Sequence, residues 1–375
     1  MRRLLGCALT IALALTACVP QADDGATEPT GEASPVGTRF RVDPFWPKPL
    51  PNDWLLGEVS GVAVDSRDHV WIVQRPRSLS PDEAGAVQEP PVSICCKPAP
   101  AVLEFDSDGN VVSSWGGPGD GFDWPALEHG IFVDYKDNVW IGGNGPDDHQ
   151  VLKFSREGMF LLQIGEAGRT EGSNHTSTLG RPADMFVDAE ANEVYVADGY
   201  GNRRVIVFDA DTGEYHRHWG AYGNEPSDAD VGPYDPESET PQQFRTPVHA
   251  VNISDDGRVY VADRVNNRIQ VFEKGGEFVT EVFVADRTLG AGSGWDVDFS
   301  ADTEQRLLYD ADGTNQQVWL LERNGLQFLG SFGRRGRYAG QFHWVHSLAS
   351  DSRGNIYTGE VNQGRRLQKF LAFAE

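Results

Sequence analysis

One pattern recurs six times along this chain of 375 residues, and it limits the fold more than any other feature. The segments are Gly61 to Arg75, Gly130 to Asn144, Met185 to Gly199, Ala250 to Arg264, Val297 to Ala311 and Ser347 to Val361. Each alternates apolar and polar residues, passes through a turn rich in Asp, Asn or Gly, and resumes with an aromatic or apolar pair. Period-two alternation reads as strand. Asp, Asn and Gly supply the local hydrogen bonds and positive φ that short connections need. A third strand follows most repeats, as at Val102 to Phe105, Val151 to Phe154 and Val205 to Phe208. A fourth often ends in an aromatic and Gly, as at Trp115 and Gly116. Six such units without helical periodicity predict an all-β, six-bladed β-propeller over residues 38–375. The last repeat ends after its third strand. Thr38 to Asp43 is expected to supply its outer strand, closing the ring and removing an exposed edge.

The N-terminus points to export. Arg2 and Arg3 precede an apolar run from Leu4 to Leu15, then Thr16, Ala17 and Cys18. That is a secretory signal over 1–17, too short to remain as a membrane span. A cysteine directly after the small residue resembles a bacterial lipobox, which implies acylation of Cys18 and anchorage in the cell envelope. Residues 18–37 are rich in Asp, Glu, Thr, Pro, Gly and Ala and read as a flexible acidic tether.

Charge narrows the partners. The chain carries −24 at pH 7; loss of residues 1–17 removes two Arg and no acid, giving −26. Such a surface disfavours nucleic acid, and it leaves the lipid anchor as the expected membrane attachment. Cys95 and Cys96 are adjacent in sequence; in an oxidising compartment they pair with each other, pair with another chain or stay free.

A propeller places equivalent inner-strand positions around one axis. Counting eleven residues back from Trp140, Tyr260 and Tyr357 gives His129, His249 and His346. The same count gives Ser60 from Trp71 and Asp184 from Tyr195, and in the fifth repeat it falls near Asp296. Histidines thus occupy alternate blades, and three imidazoles converge on the axis. Three neutral nitrogens with an open fourth position suit zinc, and imidazole also suits other transition metals. Four residues past Trp71 and Tyr260 stand Arg75 and Arg264, equivalent arginines on the first and fourth blades. Either is fit to clamp a carboxylate or to pair with a neighbouring acid such as Asp263. Tyr200, five past Tyr195, is a functional tyrosine or a rim aromatic.

The segments Val196 to Val205 and Val261 to Ile269 resemble NHL repeats, whose Asp198, Asn202, Asp263 and Asn267 are expected to brace turns. With Val59 to Val64, Glu128 to Gly130, Ala197 to Asn202 and Ala262 to Gln270, the chain after about residue 57 resembles the peptidyl-α-hydroxyglycine α-amidating lyase family. The resemblance implies a zinc site at His129, His249 and His346, with Arg75, Arg264 and Tyr200 catalytic. It implies cleavage of a carbinolamide, from a small-molecule or peptide-derived carboxylate, to a primary amide and glyoxylate. It also implies a calcium held by the carbonyls of Val62 and Ile131 and by an aspartate whose position is Ser347 here. Serine is a weaker, uncharged ligand for that ion. The family's cysteine beside the tyrosine is Gly201 here, so its disulfide is absent. A calcium-dependent propeller lactonase or hydrolase and a non-catalytic binding propeller are the competing readings. One consequence is directly testable: Cys18→Ser should move the expressed protein from the detergent phase to the aqueous phase in a Triton X-114 partition.

Overall fold

The repeat's sequence pattern has a local physical cause. In the computed structural model, which describes residues 38–374, the acid that opens each turn also anchors the aromatic that follows. Asp65, Asp134 and Asp351 each accept backbone N–H groups two and four residues on, closing the turn. Their second oxygens take the indole N–H of Trp71 (3.1 Å), the indole N–H of Trp140 (2.9 Å) and the hydroxyl of Tyr357 (2.9 Å). All three aromatics are fully buried. The turn residues Asp68, Asp137, Asn192, Gly257 and Gly354 have φ between 55° and 81°, as their residue types predict.

These hairpins build six four-stranded antiparallel sheets. Named from the inner strand outward, blade 1 holds Glu58–Val64, Val70–Arg75, Val102–Phe105 and Val111–Trp115. Blade 2 begins at Glu128–Val133 and Val139–Gly143, and blade 3 at Asp184–Asp188 and Glu193–Asp198. Blade 4 begins at Val248–Ile253 and Arg258–Asp263, and blade 5 at Asp296–Phe299 and Leu307–Asp312. Blade 6 takes Val345–Ser350, Ile356–Glu360 and Arg366–Ala374 from the C-terminal end. Its outer strand is Thr38–Asp43, antiparallel to Arg366–Ala374 with Asp43 opposite Lys369. Ring closure by the N-terminal strand is therefore as expected. Phe40 fastens it against Phe332, 4.6 Å between ring centroids. The signal run, Cys18 and the tether lie outside the described residues.

Asp198 and Asp263 do brace turns. Each is fully buried and forms an ion pair, with Arg204 at 2.9 Å and Arg268 at 2.8 Å. Asp198 also accepts from Asn202, and Asn267 accepts from the backbone of Ser293. Cys95 and Cys96 are joined as a vicinal disulfide on the exposed insertion of blade 1.

Removing one acidic anchor should be costly. Asp134→Ala leaves the Trp140 indole N–H buried without a partner and opens the turn. Urea unfolding should show a loss of about 2–4 kcal/mol; a loss near zero would contradict this account of the repeat.

Candidate metal centre

The inner strands carry a second regularity. In blades 4 and 6 the inner strand holds one extra residue: Val248 and Ala250 pair with consecutive partners, as do Val345 and Ser347. The residues squeezed out of register are His249 and His346. Blade 2 is irregular in the same place, between Glu128 and Ile131, which displaces His129. Such bulges re-aim a side chain, and here they aim imidazoles at the axis.

Blades 3 and 5 lack the bulge, and this corrects the residue count. Asp184 pairs with Ala197 and Asp296 with Ala311, the register that Ala250 and Ser347 hold in blades 4 and 6. Longer turns in blades 3 and 5 had put these acids in apparent phase with the histidines. The residues level with the histidines are Ser60, Ala183 and Trp295.

Those three supply carbonyls. His129 Nδ1 donates to Ala183 at 2.7 Å and His346 Nδ1 to Ser60 at 2.7 Å; His249 Nδ1 donates to Trp295. Each imidazole is thus fixed by the next blade around the ring. Donation from Nδ1 sets the tautomer and leaves a bare lone pair on Nε2. The three imidazoles are buried, with ring centroids 4.7–5.0 Å apart. One nitrogen from each lies within 4.8 Å of the others. Burial, then neighbouring positive charge, holds all three well below the ordinary histidine value of 6.5. Neutral, converging and pre-oriented imidazoles fit a divalent transition ion.

Tyr200 completes the floor. Its hydroxyl lies 3.0 Å from His129 Nε2 and 3.1 Å from His249 Nε2. One phenolic proton can serve only one of those lone pairs, so the other faces oxygen, an arrangement a cation relieves. Arg264 Nη1 donates to the same hydroxyl at 3.1 Å. Its guanidinium also lies 4.4 Å from the Trp295 ring. Asp263 is occupied by Arg268, and among the described residues no carboxylate pairs with Arg264. Arg75 differs. It donates to the Glu128 carbonyl at 2.7 Å, pairs with Glu58 at 2.7 Å and reaches Asn144 at 3.3 Å. Only one of the two equivalent arginines keeps an unneutralised charge.

The loop carrying Tyr200 is tied by backbone. Gly201 N–H donates to Gly180 at 2.6 Å and Tyr200 N–H to Arg181 at 3.2 Å. A Cβ at Gly201 would meet the Gly180 carbonyl oxygen at 2.8 Å, so glycine permits this approach.

The residues of the expected calcium set meet on the axis, beside Asp184, Asp296 and Asp298. Val62, Ile131 and Ser347 line an axial cavity of about 280 Å³. The Ser347 hydroxyl accepts from Val62 N–H at 3.0 Å and donates to Asp296. Asp184 and Asp296 act alike, capping the N–H of Val251 and of Leu348 in the next blade. Burial pushes Asp184 up to about 7 and Asp296 higher than its usual range.

Comparison with known proteins matches this architecture. The model of the NHL repeat matches residues 248–272, the first three strands of blade 4. This chain is a six-bladed β-propeller that carries an NHL repeat. Over 354 residues the propeller is 28% identical to NHL repeat-containing protein 3 of Mus musculus, covering 88% of this chain and 84% of that one. Over 331 residues it is 24% identical to a Caenorhabditis elegans protein named "Probable peptidyl-alpha-hydroxyglycine alpha-amidating lyase", covering 84% and 82%. Among solved structures, that of streptogramin B lyase superposes with a TM-score of 0.52 at 11% identity, over 91% of this chain and all of that one, which shows the shared fold.

Arg181, Asn144, Glu58 and Trp295 escaped the reading of the sequence. Asn144 alone had a signal: it lies four past Trp140, the position of Arg75 and Arg264 in their blades.

Two measurements follow. His249→Ala should abolish stoichiometric metal in the purified protein, read by plasma mass spectrometry. In the metal-free protein the three histidines bind protons more readily unfolded than folded. Stability should therefore fall as pH drops below about 6.5, by about 1.4 kcal/mol per pH unit for each imidazole. The difference between wild type and His249→Ala isolates one of them.

Proposed function

We propose that this propeller is a metal-dependent carbon–nitrogen lyase, with zinc as its ion, that cleaves an N-acyl-α-hydroxyglycine. The reaction is R–CO–NH–CH(OH)–COO⁻ giving R–CO–NH₂ and OHC–COO⁻. The carrying observation is that Tyr200 Oη stands against two axial imidazoles and an Arg264 free of acid partners. Relatives named for this chemistry support the reading.

A divalent ion bound by the three histidines supplies Lewis-acid polarisation of the hydroxyl oxygen. Tyr200 is placed to take the hydroxyl proton. As the C–O bond gains double-bond character, the C–N bond breaks and its electron pair goes to nitrogen. Tyr200 then returns that proton to the nitrogen, leaving the primary amide. Arg264 is placed to hold the carboxylate and to offset charge on Tyr200. Glu58 and Asn144 hold Arg75 as part of the wall.

A non-catalytic binding propeller is the second reading, because the mouse relative spanning 88% of this chain is named for its repeats. Glyoxylate release separates the two. The full chain, purified in detergent with its metal, should release glyoxylate from an N-acyl-α-hydroxyglycine, and Tyr200→Phe should slow turnover about 100-fold or more. Stoichiometric metal without glyoxylate would reject the reaction and keep the site.

A further inference from the structure

Arg181 stands at the same mouth and has no role in the reading above. Its backbone has φ of +61°, a left-handed conformation that side chains other than glycine, Asn and Asp adopt at a cost. Strain of this kind collects at functional sites. The strain is held in place by the Tyr200 N–H, which donates to the Arg181 carbonyl. The guanidinium donates through Nε (2.9 Å) and Nη2 (2.5 Å) to the Asn144 carbonyl. It lies 5.7 Å from the centroid of the Tyr200 ring, and Arg264 lies 5.6 Å from the same centroid.

Electrostatics separates these two arginines from their neighbours. Among the described residues, Arg75 is paired with Glu58, Arg77 with Glu128, Arg204 with Asp198 and Arg268 with Asp263. Neither Arg181 nor Arg264 meets a carboxylate. The Nε of Arg264 is buried without any partner. In a chain with 56 acids against 32 bases, two partly buried guanidinium groups left unneutralised around one tyrosine favour an anion.

We propose that Arg181 and Arg264 together form the carboxylate-binding site of this protein. The site takes a small α-oxo or α-hydroxy carboxylate. This rests on the lyase reading for its natural ligand, and its geometry stands without it. Arg181 is an anion-binding residue, rigidly presented: Asn144 holds the fork and the Tyr200 loop holds the backbone.

The test uses the metal-loaded full chain and titrates glyoxylate, with methyl glyoxylate as the uncharged comparator, by calorimetry. Arg181→Gln should weaken glyoxylate about tenfold to a hundredfold and leave the ester unchanged. Arg181→Gly, which the left-handed backbone accepts, should show the same loss with metal content intact, so that misfolding cannot account for it. Undiminished glyoxylate binding in either variant would overturn the proposal, as would equal loss of acid and ester, or no binding by wild type. Arg181-dependent binding of glyoxylate by a protein that releases none from the carbinolamide would sustain this site and reject the lyase reading. Release of glyoxylate that is indifferent to Arg181 would do the reverse.

Discussion

The site depends on three hydrogen bonds from imidazole to backbone. Each histidine on an even blade gives its Nδ1 proton to the carbonyl level with it on the next odd blade. A carbonyl can only accept, so the bond leaves no freedom of tautomer. The odd blades therefore do as much as the even ones: Ser60, Ala183 and Trp295 orient the centre through their carbonyls, and Trp295 also packs its ring against His249 and His346. Because the acceptors are backbone carbonyls, it is the register of the odd blades that orients the imidazoles.

The same logic continues one step down the axis. Inner strands expose N–H groups that no further strand can satisfy, because the sheet ends there. Ser347, Asp184 and Asp296 satisfy them across the gap between blades. Their carboxyls and hydroxyl are thereby spent on the protein's own backbone.

Much of this was legible in the sequence because propeller repeats are short and local. The Asp that closes a turn and the aromatic it anchors are six residues apart in three blades, so one blade's chemistry is visible in one window. The histidines were found by the same periodicity, and Thr38–Asp43 by the missing strand. Phase failed at Asp184, because counting residues cannot see a bulge: blades 2, 4 and 6 hold an extra residue that blade 3 moves into its turn. Arg181 was invisible for a different reason. It precedes its blade on a connecting loop, and only the backbone bond to Tyr200 brings it to the mouth. Glu58 was hidden too, since its partner Arg75 lies on the adjacent strand and repeats had suggested that Arg75 and Arg264 were alike.

Three carbonyls fix three neutral imidazoles with their Nε2 lone pairs on one axis, ready for a metal ion. Long-range nitrogen–proton correlation spectra of the metal-free protein, labelled with ¹⁵N only at histidine, read this directly. His129, His249 and His346 should show protons on Nδ1 and none on Nε2, and one equivalent of zinc should shift all three Nε2 resonances together. Protons on Nε2, imidazolium at neutral pH, or Nε2 resonances that ignore zinc would contradict the account.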